Sequence, residues 1–355
     1  MATTITVNDA VTTALTETTC STSENGSNNA TQIATQVILA VIMFGLGCSA
    51  DAKLMWRYIK RPKIFITGLA LQLLLMPFLG FGLARAFQLT EAETIGVIIQ
   101  ASAPGGAYSN IASYWLDGDM DLSIVMTTSS TILALGTMPL WLFVFPTIMN
   151  LQDECLTVSF SALGFSLLGI CAPLLVGLLV KYKFPEKSVI VTKICSGLGS
   201  FAILVLVIVV AATQGSGLAE SITWRQIVVV IIFPLLALVL GYLACRVPWL
   251  KISVSGRRTI AIETAMQSSA VANTIVLVSY DQDSPNFAPV FLFSGMYGII
   301  QLVVAFVVVV SYLIAKKKEV NCILPSDADQ ETNDPKAVNS PDGIVNLGYK
   351  NTEAD

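Results

Sequence analysis

Apolar residues along this chain gather into nine stretches, at about 33–52, 64–86, 94–115, 122–147, 157–180, 188–212, 225–245, 258–280 and 288–314. Each approaches or exceeds the ~18 apolar residues that span hydrocarbon as a helix. The stretches are continuous rather than alternating, which argues against a transmembrane β-barrel. The pattern predicts an all-α polytopic membrane protein with about nine transmembrane helices. A polar segment, 1–32, precedes the transmembrane region of 33–318. A polar, Pro-containing segment, 319–355, follows it and has the composition of a disordered tail, with a docking motif for trafficking partners as the other reading.

Two of the stretches are interrupted. The third contains "QASAPGGAYSN", residues 100–110, where Pro104 removes an amide donor and Gly105–Gly106 frees the backbone to unwind. Within a bilayer, unwound backbone survives only where protein or a cavity satisfies it. A simple proline kink explains a bend, but not the oxygens of Ser109 and Asn110 that follow. The eighth stretch reads "RRTIAIETAMQSSAVANTIVLVSY" and places Glu263 well inside an apolar run, with Gln267, Ser268, Ser269, Asn273 and Thr274 beyond it. A glutamate at the membrane mouth could pair with Arg257 or Arg258. The polar residues continuing deeper favour an intramembrane functional carboxylate instead. The i, i+4 spacing of Glu263 and Gln267 sets them on one helical face. Stretches three and eight are five apart and so cross in opposite directions. Interrupted helices at corresponding positions of two inverted halves mark a secondary transporter. Oxygen-only ligands suit a hard ion such as Na⁺. A proton on Glu263 is the competing coupling ion, but a proton needs no cage of neutral oxygens.

Composition agrees. Of 355 residues, 54% are hydrophobic and 12% charged, against about 25% charged in soluble domains, and the mean hydropathy is +0.72. Histidine is absent, which excludes His-based triads and proton relays. Seven cysteines show no CxxC spacing; Cys48, Cys171, Cys195 and Cys245 read as small packing residues. Cys20 and Cys155 fall on one predicted side, and either a disulfide or two free thiols fits them. Of the 20 lysines and arginines, all but Arg85 and Arg225 fall on one predicted side, in the first, fifth and seventh connections and after the last stretch. The positive-inside rule then puts the amino terminus outside and the carboxyl terminus in the cytosol. The sequons at Asn25 and Asn29 lie on the outer side, as glycosylation requires. "GLGCSA" at 45–50 lacks any βαβ context, so its glycines read as close-packing positions. "DGDMD" at 117–121 lacks the later residues of a calcium loop, and Asp119 or Asp121 reads as a helix cap.

The stretch "APGGAYSNIASYWLDGDMDLSIVMTTSSTILALGTMPL", 103–140, with "RRTIAIETAMQ", "GLALQLLLMP" and "MFGLGCSADAKLMWRYIKRP", resembles the bile acid:sodium symporter family, solute carrier family 10. The resemblance extends over about residues 33–318 and is nearest to the bile acid and sulfated-steroid carriers. It implies a panel domain packed on a core domain, with two broken helices crossing at their breaks. It implies one sodium held by Ser109, Asn110, Ser123, Thr127 and Glu263. A second would be held by Gln72, Glu263 and Gln267, with backbone oxygens around Thr264 and Met266. It further implies a multi-pass plasma-membrane symporter for an amphipathic organic anion, a bile acid or steroid sulfate. No cofactor beyond Na⁺ is implied, and about two Na⁺ per substrate would make transport electrogenic. After "ETAMQ" this chain has "SSAVANT" where those carriers carry bulkier polar residues. The exchange leaves the implied ion sites whole and alters the substrate path, to which Ser268 and Asn273 are assigned. A carrier of another organic substrate, a proton-coupled carrier and a non-transporting receptor-like protein of the same fold are the other readings. Nothing in the chain suggests an enzyme or a nucleic-acid partner.

Asn25 and Asn29 are therefore expected to carry glycans. Enzymatic deglycosylation should increase gel mobility in the unsubstituted protein and leave an Asn25→Gln/Asn29→Gln double variant unmoved.

Overall fold

A computed structural model describes residues 26–50, 52–60, 62–106, 108–150, 160–188, 190–192, 194–195, 198, 221–280, 284 and 286–323. These residues are helical with no strand. Asn25, Cys20, Cys155, most of the sixth apolar stretch and the tail beyond Ile323 lie outside them.

Helix α1, Gly26–Ser49, begins seven residues before the apolar run does and so takes in Asn29. The short α2, Ala52–Ile59, follows. Helix α3, Pro62–Ala86, starts on a proline, as a first helical turn allows. Its hydrogen-bond ladder loosens into a π-turn at Leu71–Leu75. Pro77 supplies the cause: it has no N–H to offer the Leu73 carbonyl four residues back, and its ring crowds that turn. The indole N–H of Trp141 takes the freed carbonyl at 2.8 Å.

Helix α4, Glu91–Ser102, is opened by a capping box in which Thr90 and Glu93 satisfy each other's backbone amides. It stops before Pro104, which drives Ala103 to an extended conformation, φ −64° and ψ 151°. The chain resumes as α5, Tyr108–Trp115. Helix α6, Met120–Met149, is capped by Asp119, whose carboxylate accepts from the Leu122 amide, as expected of that residue. The two arms of α6, Met120–Ala134 and Gly136–Met149, meet at 58°; Pro139 removes the amide that would bond the Leu135 carbonyl there. Asn150 ends the helix in the left-handed region. Helix α7 is Phe160–Lys183 and α8 is Trp224–Ala244, capped by Thr223. Helix α9, Val254–Ala265, and α10, Ser269–Ser279, occupy the eighth apolar stretch with a break between them. Helix α11 spans Phe287–Ile323.

The described residues up to Val309 form one compact unit; the second begins at Val310, and its described part is helical to Ile323. Among the described residues three helices are long and apolar enough to cross a membrane: Pro62–Ala86, Trp224–Ala244 and Phe287–Lys317. Counting each bent pair as one span raises this to five. Cys48, Cys171 and Cys245 are buried free thiols, in keeping with packing roles.

In lipid, helices associate by close packing rather than by expulsion of water, which favours small residues at crossings. Helices α1 and α7 show this. A Cβ on Gly47 would lie 2.1 Å from the Leu174 carbonyl oxygen, and one on Gly177 would lie 2.3 Å from that of Phe44. Backbone cannot retreat as a flexible side chain can. Gly47→Val is therefore expected to force the two helices apart, costing about 1–3 kcal/mol, and to lower the unfolding temperature of the detergent-solubilised protein. Gly136→Ala, where an added Cβ meets nothing within 4 Å, should not lower it.

Candidate functional site

The two broken helices meet at their breaks. Gly105 and Gln267 form an antiparallel bridge. The Gly106 amide donates to the Met266 carbonyl at 3.0 Å, and the Ser268 amide donates to the Pro104 carbonyl at 2.8 Å. Backbone that leaves a helix inside an apolar interior thus recovers its hydrogen bonds from the opposite break. Small residues permit the approach: a Cβ on Gly106 would sit 3.1 Å from the Gln267 carbonyl oxygen.

Glu263, in the last turn of α9, lies directly beneath this crossing and is fully buried. Arg257 and Arg258 do not reach it; they hydrogen-bond the carbonyls of Ile252 and Leu116. Its carboxylate is met by α6 instead. Ser123 donates to Oε2 at 2.9 Å, and Thr127 donates to Oε1. The Ser109 hydroxyl lies beside the carboxylate and donates to the Gly106 carbonyl at 2.7 Å. Beside this group the buried amide oxygens Oε1 of Gln72 and Oε1 of Gln267 have no hydrogen-bond donor, and neither has the buried Oδ1 of Asn110, the residue that follows Ser109. The nitrogens of the two glutamines are occupied, Gln72 with the Glu263 carbonyl at 3.5 Å and Gln267 with the Ala101 carbonyl at 3.0 Å. Each amide is therefore held by its nitrogen with its oxygen left over.

The helix ends at Ala265, so the i, i+4 relation expected of Glu263 and Gln267 does not operate. Gln267 lies in the break itself, set by the bridge to Gly105 rather than by a helical face. Thr264 is buried with its hydroxyl bonded to the Ile260 carbonyl at 2.7 Å. The Met266 carbonyl is taken by Gly106. On the far side of the break, Ser268 caps α10, its hydroxyl accepting from the Val271 amide, and Asn273 accepts from Ser294. Ser130 is a member of the cluster that sequence reasoning missed. Its hydroxyl accepts from the Gly105 amide at 3.1 Å and donates to the Thr127 carbonyl. Its signal was the spacing 123, 127, 130, one face of a helix in the run "SIVMTTSST".

One ionisable carboxylate ringed by hydroxyls and unpaired neutral oxygens can hold a small hard cation. Buried carbonyl oxygens without donors are costly, and a cation supplies what they lack. Among the described residues no group of three or more Cys, Asp or Glu side chains could hold a transition metal.

Comparison with known proteins agrees with this chemistry. Residues 36–221 match the model of the Sodium Bile acid symporter family. The ileal sodium/bile acid cotransporter of Homo sapiens is 36% identical over 286 residues, 79% of this chain and 78% of that protein. The same cotransporter of Mus musculus is 35% identical over 299 residues, 82% and 80%. The sodium-dependent organic anion transporter of Homo sapiens is 34% identical over 284 residues, 79% and 72%.

Gly105 offers a direct test of the cluster. A Cβ there would lie 2.7 Å from both Gln72 Nε2 and Glu263 Oε1, while its φ is not positive, so the backbone itself tolerates alanine. Gly105→Ala is expected to abolish sodium-dependent thermal stabilisation of the purified protein while leaving its sodium-free unfolding temperature within a few degrees. Persistence of the sodium-dependent shift would place the cation elsewhere.

Proposed function

The chain belongs to the sodium bile acid symporter family, and from that premise we propose that it imports an amphipathic organic anion across the plasma membrane, drawn by two sodium ions bound at the crossing of α4–α5 with α9–α10. It is a multi-pass membrane transporter coupled to sodium, and not an enzyme. The observation that carries the reading is the set of orphaned oxygens on Gln72, Asn110 and Gln267 around the buried Glu263 carboxylate. Ser109, Asn110, Ser123 and Thr127 would serve one ion. Gln72, Gln267 and backbone oxygens near Thr264 and Met266 would serve the other. Glu263 would stand between them.

The charge arithmetic favours an anionic substrate. A carboxylate between two sodium ions leaves the loaded core at one net positive charge. A monoanion neutralises it and a neutral analogue does not. The names of the relatives, which carry bile acids and organic anions, suggest the class: a bile acid or a steroid sulfate. Ser268 and Asn273, just past the break, would face the substrate path. Within the whole chain, about nine spans arranged as an inverted repeat, with an outer amino terminus, fit this reading. Proton coupling is the weaker alternative. Two hydroxyls already donate to the Glu263 oxygens, as an ionised carboxylate wants, and a proton would leave the three amide oxygens unused.

Uptake of labelled bile acids and steroid sulfates into transfected cells, with sodium and with an inert replacement cation, tests the reading. Two sodium ions and one monoanion carry one charge inward per cycle, worth about 2.3 kcal/mol per 100 mV, so uptake should slow on depolarisation. Glu263→Gln, which keeps shape but loses the charge, should abolish sodium-driven uptake at normal surface expression. Glu263→Asp should retain weak activity at most. Wild-type uptake by the surface-expressed Glu263→Gln protein would return Glu263 to a purely structural role.

A further inference from the structure

A second set of buried polar groups lies away from the crossing, on the face of α4 that looks toward α8 and the first turns of α11. At its end stands Glu93, buried in the first turn of α4. One carboxylate oxygen accepts from the amide and hydroxyl of Thr90 at 2.8 and 3.0 Å, and the other accepts from the Thr223 hydroxyl that caps α8. Three residues along α8 is Gln226, fully buried. Its nitrogen donates to the Pro289 carbonyl at 3.0 Å, and its oxygen has no donor. At the matching level of α4 is Gly96, where a Cβ would lie 2.7 Å from the Val290 carbonyl oxygen. One turn on from Gly96, and two turns from Glu93 on the same face, comes Gln100. It is fully buried, and neither its amide oxygen nor its amide nitrogen has a partner. The next residue, Ala101, offers its carbonyl to Gln267 of the sodium cluster.

The polar groups thus descend from the capped ends of α4 and α8 to the crossing: Glu93, Gln226, Gln100, Gln267. Each α-helical turn advances 5.4 Å, so Gln100 lies about 10 Å deeper than Glu93. The neighbouring positions Ile95, Val97, Ile98 and Ile99 are buried and apolar. Leucine at 100 and 226 would therefore suit the packing and avoid the cost of unpaired amides. Buried polar groups without protein partners are satisfied by water or by a passing ion.

We propose that this seam between α4, α8 and α11, closed in this conformation where Gly96 meets the Val290 backbone, opens as an access path through which a monovalent cation reaches the Glu263 cluster. The proposal rests on the reading of that cluster as a sodium site. The carboxylate of Glu93 at the outer end raises the local cation concentration. The amide oxygens of Gln226 and Gln100 replace hydration in successive steps, weakly enough for the ion to move on.

The path predicts a kinetic effect separable from affinity. Sodium binding to the purified, full-length transporter can be followed by stopped-flow tryptophan fluorescence, since Trp141 bonds the turn that carries Gln72. Gln100→Leu should slow the sodium association rate about tenfold, with the half-saturating sodium concentration at equilibrium unchanged within twofold, because entry and exit slow together. Gln226→Leu should do the same to a smaller extent, and Gln100→Asn should restore most of the rate. A wild-type association rate in both leucine variants would overturn the path. So would a loss of equilibrium affinity at normal rate, which would make Gln100 a ligand of the cluster. A sodium signal absent from the unsubstituted protein would overturn the sodium reading itself and the path with it. A signal present there and lost only in Glu263→Gln would uphold that reading, leaving the leucine variants to decide the path.

Discussion

Unwound backbone in an apolar interior needs hydrogen-bond partners that no solvent provides, and here two such segments supply each other. The pairing of Pro104–Gly106 with Met266–Ser268 is the constraint from which the rest follows. Each unsatisfied amide or carbonyl would cost several kcal/mol in hydrocarbon, so neither break is tolerable without the other. The bridge fixes α4–α5 against α9–α10. It carries Glu263 beneath the crossing, Gln267 into it and Ser109 alongside. Two glycines at 105 and 106 are needed because the opposing backbone and the Glu263 and Gln72 side chains already occupy the space a Cβ would take.

A carboxylate so placed would be intolerable alone. Removing an ionised group from water is expensive, and it is offset only by hydrogen bonds and opposite charge. Ser123 and Thr127 supply the first. In the proposed reading sodium supplies the second, and the same ions satisfy the amide oxygens of Gln72, Asn110 and Gln267 that the protein leaves without donors. Binding and stability are then linked: whatever occupies the cluster stabilises the crossing by mass action. The coupling of ion to fold needs no separate device.

Much of this was legible in the sequence. The apolar runs gave the helical class, Pro104–Gly105–Gly106 marked one break, and Glu263 announced itself as an ionisable residue in an apolar stretch. The family resemblance grouped Ser123 and Thr127 with Glu263, and Asp119 could be read as the cap of α6. The second break was expected from its polar run and from the family resemblance rather than from a helix breaker. "TAMQSSA" contains neither proline nor glycine, and nothing local forbids a helix through it. The chain leaves the helix at Ala265 because Gly106 and Pro104 offer bonds from across the fold, a tertiary effect that overrides propensity. The periodic argument linking Glu263 to Gln267 failed for the same reason. Gln226 passed unnoticed, and Gln100 was seen in the interrupted stretch but given no role, because single glutamines in apolar runs carry no pattern; only burial without partners distinguishes them.

Helix α6 explains how a site assembled from three separate segments keeps its geometry. Before the bend near Pro139 it presents Ser123 and Thr127 to Glu263 and Ser130 to the Gly105 amide, so one rigid arm holds both breaks. After the bend it presents Trp141 to the Leu73 carbonyl. That carbonyl is free because Pro77 has no amide, and the resulting π-turn carries Gln72. The indole is itself fixed by rings, edge-on to Phe78 at 5.1 Å and stacked on Phe145 at 5.4 Å. Two proline defects, one in α3 and one in α6, are therefore joined by a single hydrogen bond. The turn that carries Gln72 is thereby tied to the arm of α6 beyond its bend. The oxygens around Glu263 thus come from two supports, the Ser123 and Thr127 hydroxyls on the first arm of α6 and the Gln72 amide on the turn of α3 that Trp141 holds.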